Sequence, residues 1–421
     1  MWNKIPIRAY LPVIIFQCKI SILKLKPFLN SKKHTGMGYL RQPLYSCSFP
    51  DVFSTNLLKF MKTKIFLPLT SLLLAALLFN ACQKEAETET VEIQQVTDEN
   101  KYYTPNLTDF VTDRSGYWTE IPAGSVDALS QAIAEADAGG VIYLKAGMHT
   151  ETDRVTVNKR IKLIGAEGAI LRIQSNDTTS TSNPAIHVVN APGTAIQNIV
   201  IEPYNDGAHT AVLFEKSPQS ALLSSKISGF PMAVLIEKSD YFALINNQLI
   251  GTKENHGVLV NNGKSVYVGG NDISNFLRGL WACDEWGTAE NNTFHGNNNG
   301  ALLCKYNTIF GFTIPGNPDP ISADMTCKAW KLRNNIFVDN LNIGLAIFDG
   351  ATLNFVANTN QFSEHGIYDI WISGDTDTGV LFLPASSKNT IHTNSTTIIK
   401  DCGIDNVING GTLIDTTLDP C

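Results

Sequence analysis

Residues Ala233–His256 read AVLIEKSDYFALINNQLIGTKENH, and the pattern begins again at once with GVLV from Gly257. A small residue followed by an apolar run recurs with spacings of 22, 24, 22, 22 and 43 residues, at Ala211, Ala233, Gly257, Gly279, Ala301 and Gly344. Each unit holds only short apolar runs, which are too few to form a core alone. Stacked copies of such a unit bury one continuous core between neighbours.

A second column, of asparagine or serine, runs in phase with the first. Its members are Ser225, Asn247, Asn271, Asn292, Asn335 and Asn360. Stacked asparagines hydrogen-bond along a ladder and tolerate left-handed backbone at a corner, so we expect a structural role rather than a substrate site. Two columns with a period of about 22 residues predict a parallel β-helix. The leucine pattern and the helical segments of a leucine-rich repeat are missing.

Two stretches depart from the repeat. SVDALSQAIAEADAGG carries an apolar stripe with helical spacing, which predicts a capping helix over 125–138 with Ser125 as its N-cap. The 43-residue interval holds an insertion, Tyr306–Trp330, that contains three prolines. Proline cannot continue a β-ladder, so we expect this insertion to leave the solenoid as a loop.

Asp127–Leu171, DALSQAIAEADAGGVIYLKAGMHTETDRVTVNKRIKLIGAEGAIL, resembles the opening of the pectin-lyase-like superfamily. The resemblance extends over roughly residues 120–400. It implies an all-β fold, a single-stranded right-handed parallel β-helix with an N-terminal capping α-helix, over residues 116–421. It does not imply one activity, because this fold carries lyases, hydrolases, esterases and non-catalytic adhesins. The polygalacturonase motifs are incomplete here, with Arg160-Ile161-Lys162 in the first coil, before everything else. The aspartate-bearing segment of pectin methylesterases and the arginine pattern of pectate lyases are absent.

MKTKIFLPLTSLLLAALLFNACQKEAETE, Met61–Glu89, has the basic start and short apolar run of a secretory signal. Phe79-Asn80-Ala81-Cys82 resembles the lipobox of bacterial lipoproteins, in which the cysteine becomes the acylated N-terminus. We therefore expect a signal peptide over 61–82, lipidation of Cys82, and an outer-membrane lipoprotein exposed at the cell surface. The membrane would be contacted through the lipid anchor only. An uncleaved apolar anchor is the alternative, but the run is shorter than the roughly 20 residues that a bilayer requires.

Residues 1–60 contain no signal of their own, and we interpret them as a mis-called start, with a basic extension as the alternative. Without residues 1–82 the chain holds 21 Lys and Arg against 38 Asp and Glu, a net charge of −17. This acidity argues against a nucleic-acid partner. It also disfavours a polyanionic glycan unless Ca²⁺ bridges the charges. Residues 83–115 are a polar tether, and we expect a monomer.

Equivalent positions on neighbouring coils of a β-helix lie about 4.8 Å apart. This spacing brings together five candidate catalytic residues: His256, Arg278, Asp284, Glu285 and Lys305. In a lyase, Arg278 and Lys305 would take the proton and neutralise a uronate carboxylate, while the two acids would hold Ca²⁺. In a hydrolase the paired carboxylates would be acid and base. The alternative is that these charges pair across coils for solubility.

The middle position of the first strand forms an apolar stripe that we expect to point outward: Leu213, Leu235, Leu259, Trp281, Leu303 and Ala346. Such a stripe requires a cover or a partner. Trp281 and Trp286 therefore either pack or stack on sugar rings as substrate-binding residues. Two cysteine pairs are disulfide candidates, Cys283 with Cys304 on adjacent coils and Cys402 with Cys421 at the C-terminal end.

The sequence therefore predicts a protein that acts on or binds extracellular polysaccharide. Lyase chemistry is the leading enzymatic hypothesis, and Ca²⁺ is the one cofactor that this hypothesis suggests. The alternative is a non-catalytic, carbohydrate-binding or adhesive β-helix, which the incomplete catalytic motifs favour.

Overall fold

The structure is a computed structural model, and it describes residues 102–106, 108, 110, 118–174, 183–204, 209–304, 327–377, 382–417 and 421. The chain divides into two units, Met1–Thr90 and Val91–Cys421, and all described residues belong to the second. The predictions for residues 1–60, for the signal peptide with Cys82, and for most of the insertion lie outside the described residues. Within the described ranges, no helix is long and apolar enough to cross a bilayer.

The described residues of the second unit form three long parallel sheets, one helix and a small antiparallel pair. Sheet A contains β1 (Trp118–Ile121), β2 (Gly140–Leu144), β5 (Ile161–Gly165), β8 (Ala195–Gln197), β11 (Ala221–Leu223), β14 (Ala243–Ile245), β17 (Tyr267–Gly269), β20 (Thr288–Glu290), β23 (Lys331–Arg333), β26 (Phe355–Val356), β31 (Thr390–His392) and β33 (Val407–Asn409). Sheet B contains β3 (Gly147–Glu151), β6 (Ala169–Ile173), β9 (Val200–Pro203), β12 (Lys226–Ser228), β15 (Gln248–Ile250), β18 (Asp272–Ser274), β21 (Thr293–His295), β24 (Ile336–Val338) and β27 (Gln361–Ser363). Sheet C contains β4 (Val155–Val157), β7 (Pro184–Val189), β10 (Thr210–Glu215), β13 (Met232–Glu237), β16 (His256–Lys264), β19 (Arg278–Glu285), β22 (Asn299–Cys304), β25 (Ile343–Phe348), β28 (Tyr368–Ile372), β32 (Ile398–Asp401) and β34 (Thr412–Leu413). A small antiparallel pair, β29 (Thr376–Asp377) and β30 (Phe382–Leu383), lies outside the three sheets.

Each regular coil passes through sheet C, then sheet A, then sheet B, which gives the predicted right-handed parallel β-helix. Side chains alternate along each strand, so Val212 and Phe214 of β10 enter the interior core while Leu213 packs in a separate cluster on the outer face. Interior side chains stack on those of the next coil. Phe294, Phe337 and Phe362, for example, form a column with ring centroids 4.9 and 4.8 Å apart.

The asparagine column forms the predicted ladder at the corner between sheets A and B. Asn247 Nδ2 donates to Asn271 Oδ1 at 3.0 Å, and the same bond repeats from Asn271 to Asn292 at 2.9 Å. The preceding residue of these turns is left-handed, with φ of 55° at Asn246 and 57° at Asn291, a conformation that asparagine tolerates. The prediction of a structural role for this column is confirmed.

The capping helix, α1, is shorter than predicted, Ala128–Glu135, and its N-cap position is Asp127 instead of Ser125. The Asp127 side chain does not cap the helix. The buried Glu151 carboxylate of β3 does so instead, accepting from the backbone N–H groups of Leu129 at 2.8 Å and Ser130 at 3.2 Å. A carboxylate near a helix N-terminus satisfies free N–H groups and favours the helix dipole.

The outward stripe on sheet C differs from the prediction at one position. Trp281 of β19 pairs in register with Leu302 of β22, and Leu302 pairs with Ala346 of β25, so Leu303 points into the interior core instead. The repeat there is 21 residues long rather than 22, which places Gly300 instead of Ala301 in the small-residue column. A one-residue slip reverses which face a strand residue occupies.

The end of the predicted tether packs against the outer face of sheet A. Tyr103 and Phe110 cover an apolar cluster of small and branched side chains, Ala195, Ala221, Leu223, Ala243 and Ile245. Tyr102 packs edge to face on Trp286 at 5.8 Å, and burial raises the pKa of its phenol to about 12. We call the described residues 102–106, 108 and 110 the N-terminal strap.

Candidate functional site

His256 and Arg278 are brought together on the outer face of sheet C. They are partners in the register of β16 and β19, and both contact the Trp281 ring, with His256 at 4.6 Å between centroids and the Arg278 guanidinium at 4.8 Å. Both residues are almost completely buried, at 1% and 5% exposure. Burial, and then the charge of Arg278, hold the pKa of His256 well below its usual value, so the imidazole is neutral.

The two acids predicted beside them do not join this group. Asp284 points into the solenoid, where Trp330 Nε1 donates to its Oδ1 at 2.7 Å, and burial raises the pKa of its carboxyl well above the usual range. Glu285 lies at the turn and pairs with Lys328 at 3.2 Å. Successive strand residues face opposite sides, which explains why the two carboxylates are separated. No group of three His, Cys, Asp or Glu that could hold a metal ion occurs within the described residues.

Lys305, the fifth candidate catalytic residue, lies outside the described residues, as does the lipidation site Cys82. Their roles stay predictions.

The structure decides between packing and sugar stacking for Trp281. Its side chain is fully buried on the outer face of sheet C, among Leu259, Leu302 and their neighbours. Packing is therefore observed, and the interpretation of Trp281 as a sugar platform is corrected, since no ring surface is open to solvent. Trp286 is half-buried against Tyr102 of the N-terminal strap.

The two predicted cysteine pairs differ in the structure. Cys402 and Cys421 form a disulfide at the C-terminal end, with Cα atoms 5.7 Å apart. Cys283 and Cys304 are buried thiols whose Sγ atoms lie 2.9 Å apart. The predicted adjacency of Cys283 and Cys304 is thus confirmed, and no bond joins them in the structure.

A polar group on earlier coils of sheet C was assigned no role from the sequence. Glu215 and Glu237 are register partners on β10 and β13, and His187 Nε2 lies 3.0 Å from Glu215 Oε2. Burial, and then the charge of Glu215, raise the pKa of Glu237. The 22-residue spacing of these glutamates was visible in the sequence. The coil that carries His187 was not predicted from the sequence. Its strand, PAIHVV, lacks the small residue followed by an uninterrupted apolar run that marks the other coils.

A groove runs along the corner between sheets C and A. Its volume is about 550 Å³, and we call it the corner groove. Five residues line it from the ends of successive coils, each just before a strand of sheet A: Gly139, Arg160, Gly193, Gln219 and Tyr241. Four coil steps of about 4.8 Å make this row roughly 19 Å long. Lys162 and two strap residues, Tyr103 and Phe110, complete the lining.

The corner groove combines aromatic rings with hydrogen-bond donors. Tyr241 is 46% exposed and stands edge to face with Tyr103, with centroids 5.8 Å apart. The Arg160 side chain packs against the backbone at Gly193. A Cβ atom added at Gly193 would lie only 3.1 Å from the Arg160 Cδ. No ion pair joins Arg160 to a carboxylate of the described chain, and none of the lining residues is acidic. The groove is therefore a locally cationic, aromatic surface on an acidic protein.

Comparisons with known proteins identify the fold. Residues 232–395 match the family described as "Right handed beta helix region". No curated protein matches the chain. Similar solved structures include ORF18 of Geobacillus virus E2, at 17% identity and a TM-score of 0.46, covering 68% of this chain and 56% of the viral one. The chain thus spans little more than half of that protein.

Two further similar structures are those of enzymes. The catalytic domain of a GH87 alpha-1,3-glucanase in complex with tetrasaccharides is 12% identical, with a TM-score of 0.41, and the match covers 74% of this chain and 68% of that one. The periplasmic alginate epimerase AlgG is 11% identical, with a TM-score of 0.42, and the match covers 70% and 85%. All three scores lie below 0.5, so these similarities carry no conclusion about activity.

Proposed function

We propose that this protein is a lipoprotein of the bacterial outer membrane, exposed at the cell surface, that binds extracellular polysaccharide in the corner groove without cleaving it. The observation that carries the proposal is the shape and chemistry of this groove. It is extended along the solenoid axis, and successive coils each place a lining residue at the same corner. A polymer of repeating units fits such a row of repeating positions.

The lining residues provide the two kinds of contact that sugars use. Tyr241 and Tyr103 offer rings on which the apolar face of a sugar packs. Arg160 and Gln219 offer hydrogen-bond donors to hydroxyl or carboxylate oxygens. A concave site with apolar walls and a few convergent polar groups is the usual form of a ligand site.

The location of the protein follows from the sequence at Met61–Glu89. A signal peptide ending in Cys82 would place the acidic body outside the cell, attached through the acyl chains alone. The net charge of −17 after Cys82 argues against nucleic acid as the partner. We also propose that the protein is a monomer.

Binding is favoured over catalysis because the four predicted catalytic residues that the structure describes do not converge on one accessible point. Asp284 faces the interior, Glu285 pairs with Lys328, and His256 and Arg278 are buried beside Trp281. A catalytic acid, base or nucleophile must reach the substrate within hydrogen-bond distance.

A uronate polysaccharide lyase is the second candidate, and one observation favours it. A neutral imidazole at His256 next to the Arg278 guanidinium pairs a proton acceptor with a cation that neutralises a carboxylate. Lys305 would add a second cation if it lies nearby. Calcium would assist either function by bridging an anionic glycan to carboxylates of the acidic protein outside the groove.

One experiment separates the two candidates. The full-length protein, solubilised from membranes, is incubated with a panel of neutral and uronate polysaccharides, with and without Ca²⁺. Retention on a polysaccharide without release of unsaturated products supports the binding protein. Ultraviolet absorbance from unsaturated products, abolished by His256→Ala, would establish the lyase instead. Absence of both retention and turnover across the panel would refute the proposed function.

A further inference from the structure

We infer that Cys283 and Cys304 form a disulfide between two coils while the exported protein folds, and that Cys327 stays a thiol. The register carries the inference. Ala282 pairs with Leu303 across β19 and β22, so the next residue on each strand is a cysteine and both face outward. Parallel neighbours lie about 4.8 Å apart, within the range of Cα separations that disulfides span.

The sulfur atoms are already closer than two unbonded thiols prefer to be. The Sγ atoms of Cys283 and Cys304 lie 2.9 Å apart, and the Trp281 Nε1 is 2.7 Å from the Cys304 sulfur. Bond formation needs only a small shift of the two sulfurs toward each other, with no change in strand register. The pairing of the two strands therefore already brings the sulfurs close enough to be cross-linked.

The third thiol of the region cannot compete for the bond. Cys327 packs in the interior core, whereas Cys283 and Cys304 belong to the cluster on the outer face of sheet C. The sheet therefore lies between Cys327 and the other two sulfurs. Burial raises the pKa of Cys327 well above its usual value, as it does for Cys283, so the position behind the sheet and not the pKa distinguishes this thiol.

The time of oxidation follows from burial. Cys283 and Cys304 are 1% and 0% exposed, and burial raises the pKa of Cys283 well above the usual range. A thiol reacts as its thiolate, so the finished fold protects this pair from reagents in solution. The bond must form before β22 completes the outer face. The same burial then protects it from reductants.

The reaction requires a disulfide oxidant, either a small-molecule disulfide or a disulfide-bearing oxidoreductase. The thiolate of one cysteine attacks the oxidant, whose S–S bond breaks to give a mixed disulfide and one reduced thiol. The second thiolate then attacks the mixed disulfide. A protein S–S bond forms, the second oxidant thiol leaves, and the two protein protons are released to these thiolates.

The cross-link would clamp the coil that carries β20 and β21. It would also fix the end of β22, the last described strand before residues 305–326, beside Trp281 and Arg278. The cross-link would therefore hold the two strands together on the outer face of sheet C.

Peptide mapping of the full chain tests the inference. The protein, expressed with its own leader and isolated from the bacterial envelope, is denatured, alkylated without reductant and digested with trypsin. Cleavage after Arg278 and Lys305 releases both cysteines in one peptide, which should be unalkylated and about 2 Da lighter than the dithiol form. Further cleavage after Glu285 or Glu290 should leave the two halves joined until reductant is added.

The disulfide Cys402–Cys421 is a control in the same chain. Because Cys421 is exposed, dithiothreitol should open that bond under native conditions at least 10-fold faster than the bond between Cys283 and Cys304. Alkylation of both Cys283 and Cys304 in the envelope protein, and again after refolding with a glutathione redox mixture, would overturn the inference. A peptide that links Cys327 to either of them would overturn it as well.

Discussion

Trp330 Nε1 donates a hydrogen bond of 2.7 Å to Asp284 Oδ1 inside the solenoid. The second carboxylate oxygen, Oδ2, has no hydrogen-bond partner within the described structure, and burial raises the pKa of the group well above its usual value. A carboxyl in such surroundings holds its proton at pH values where an exposed aspartate has lost it. Asp284 is therefore a polar element of the core.

Replacement of Asp284 by Asn should stabilise the protein at neutral and alkaline pH. Because the folded-state pKa of Asp284 is raised, the wild type loses stability as the pH rises from the unfolded-state pKa toward the folded-state pKa. Asn keeps the acceptor for Trp330 and cannot ionise. We expect the free energy of unfolding of Asp284→Asn to exceed that of the wild type by at least about 1 kcal/mol at pH 8, and to differ little from it at pH 4.

Urea unfolding at both pH values measures this difference. Glu285→Gln is the control, since Glu285 is at the surface and its pair with Lys328 should contribute under about 1 kcal/mol. A difference between Asp284→Asn and wild type that shrinks with rising pH would contradict the prediction.

Asp349 should produce a second pH-dependent loss of stability with a defined window. Burial raises its pKa from 3.8 to about 7, so stability falls between these values and is level above them. Across this pH window, Asp349→Asn should become more stable than the wild type, with a free energy of unfolding higher by roughly 4 kcal/mol at most. Asp339→Asn is the matched control, because Asp339 also has a left-handed backbone but is exposed. Equal pH profiles for the two variants would rule the prediction out.

Asn292→Ala should destabilise the protein through the ladder. The side chain of Asn292 donates to Val268 O and Asn335 Oδ1, and accepts from the backbone N–H of Asn271, all within 3.0 Å. Loss of a fully buried amide leaves these partners unsatisfied, which costs about 2–4 kcal/mol in total. Urea unfolding should give this value, while Asn298→Ala, outside the ladder, should stay within about 0.5 kcal/mol of the wild type.

The corner groove should lose affinity for polysaccharide when either kind of contact is removed. Tyr241→Ala removes a stacking ring, and Arg160→Gln removes the cation, so each should weaken binding about 10-fold, or ~1.4 kcal/mol. Calorimetric titration with the best ligand of the panel measures the change. Tyr204→Ala and Arg172→Gln are controls of the same chemistry outside the groove. Unchanged affinity in both groove variants would move the binding site elsewhere.

Sequence periodicity predicted the coils well because each coil repeats the same pattern of short strands and turns. The ladder from Asn247 to Asn292 and the neighbouring positions of Cys283 and Cys304 were all placed from spacing alone. The error at Leu303 arose where one repeat is 21 residues long, because a single-residue slip moves a side chain to the opposite face.

The candidate site was less predictable, because function depends on which face a residue occupies and on what covers it. Asp284 and Glu285 are adjacent in the sequence and yet lie on different sides of the strand. The corner groove was not predicted from the sequence, because its wall includes Tyr103. The sequence placed Tyr103 in a polar tether, far along the chain from Tyr241.

The residue pattern alone specifies the solenoid, its period, its asparagine ladder and the approximate extent of its cap. These features are local and repeated, so every coil adds the same signal. Three features follow from the folded chain instead: the burial of Trp281, the lowered pKa of His256 beside Arg278, and the contribution of the N-terminal strap to the corner groove. Burial and charge at those points depend on contacts between segments far apart in the chain, which the spacing of residues within a coil does not encode.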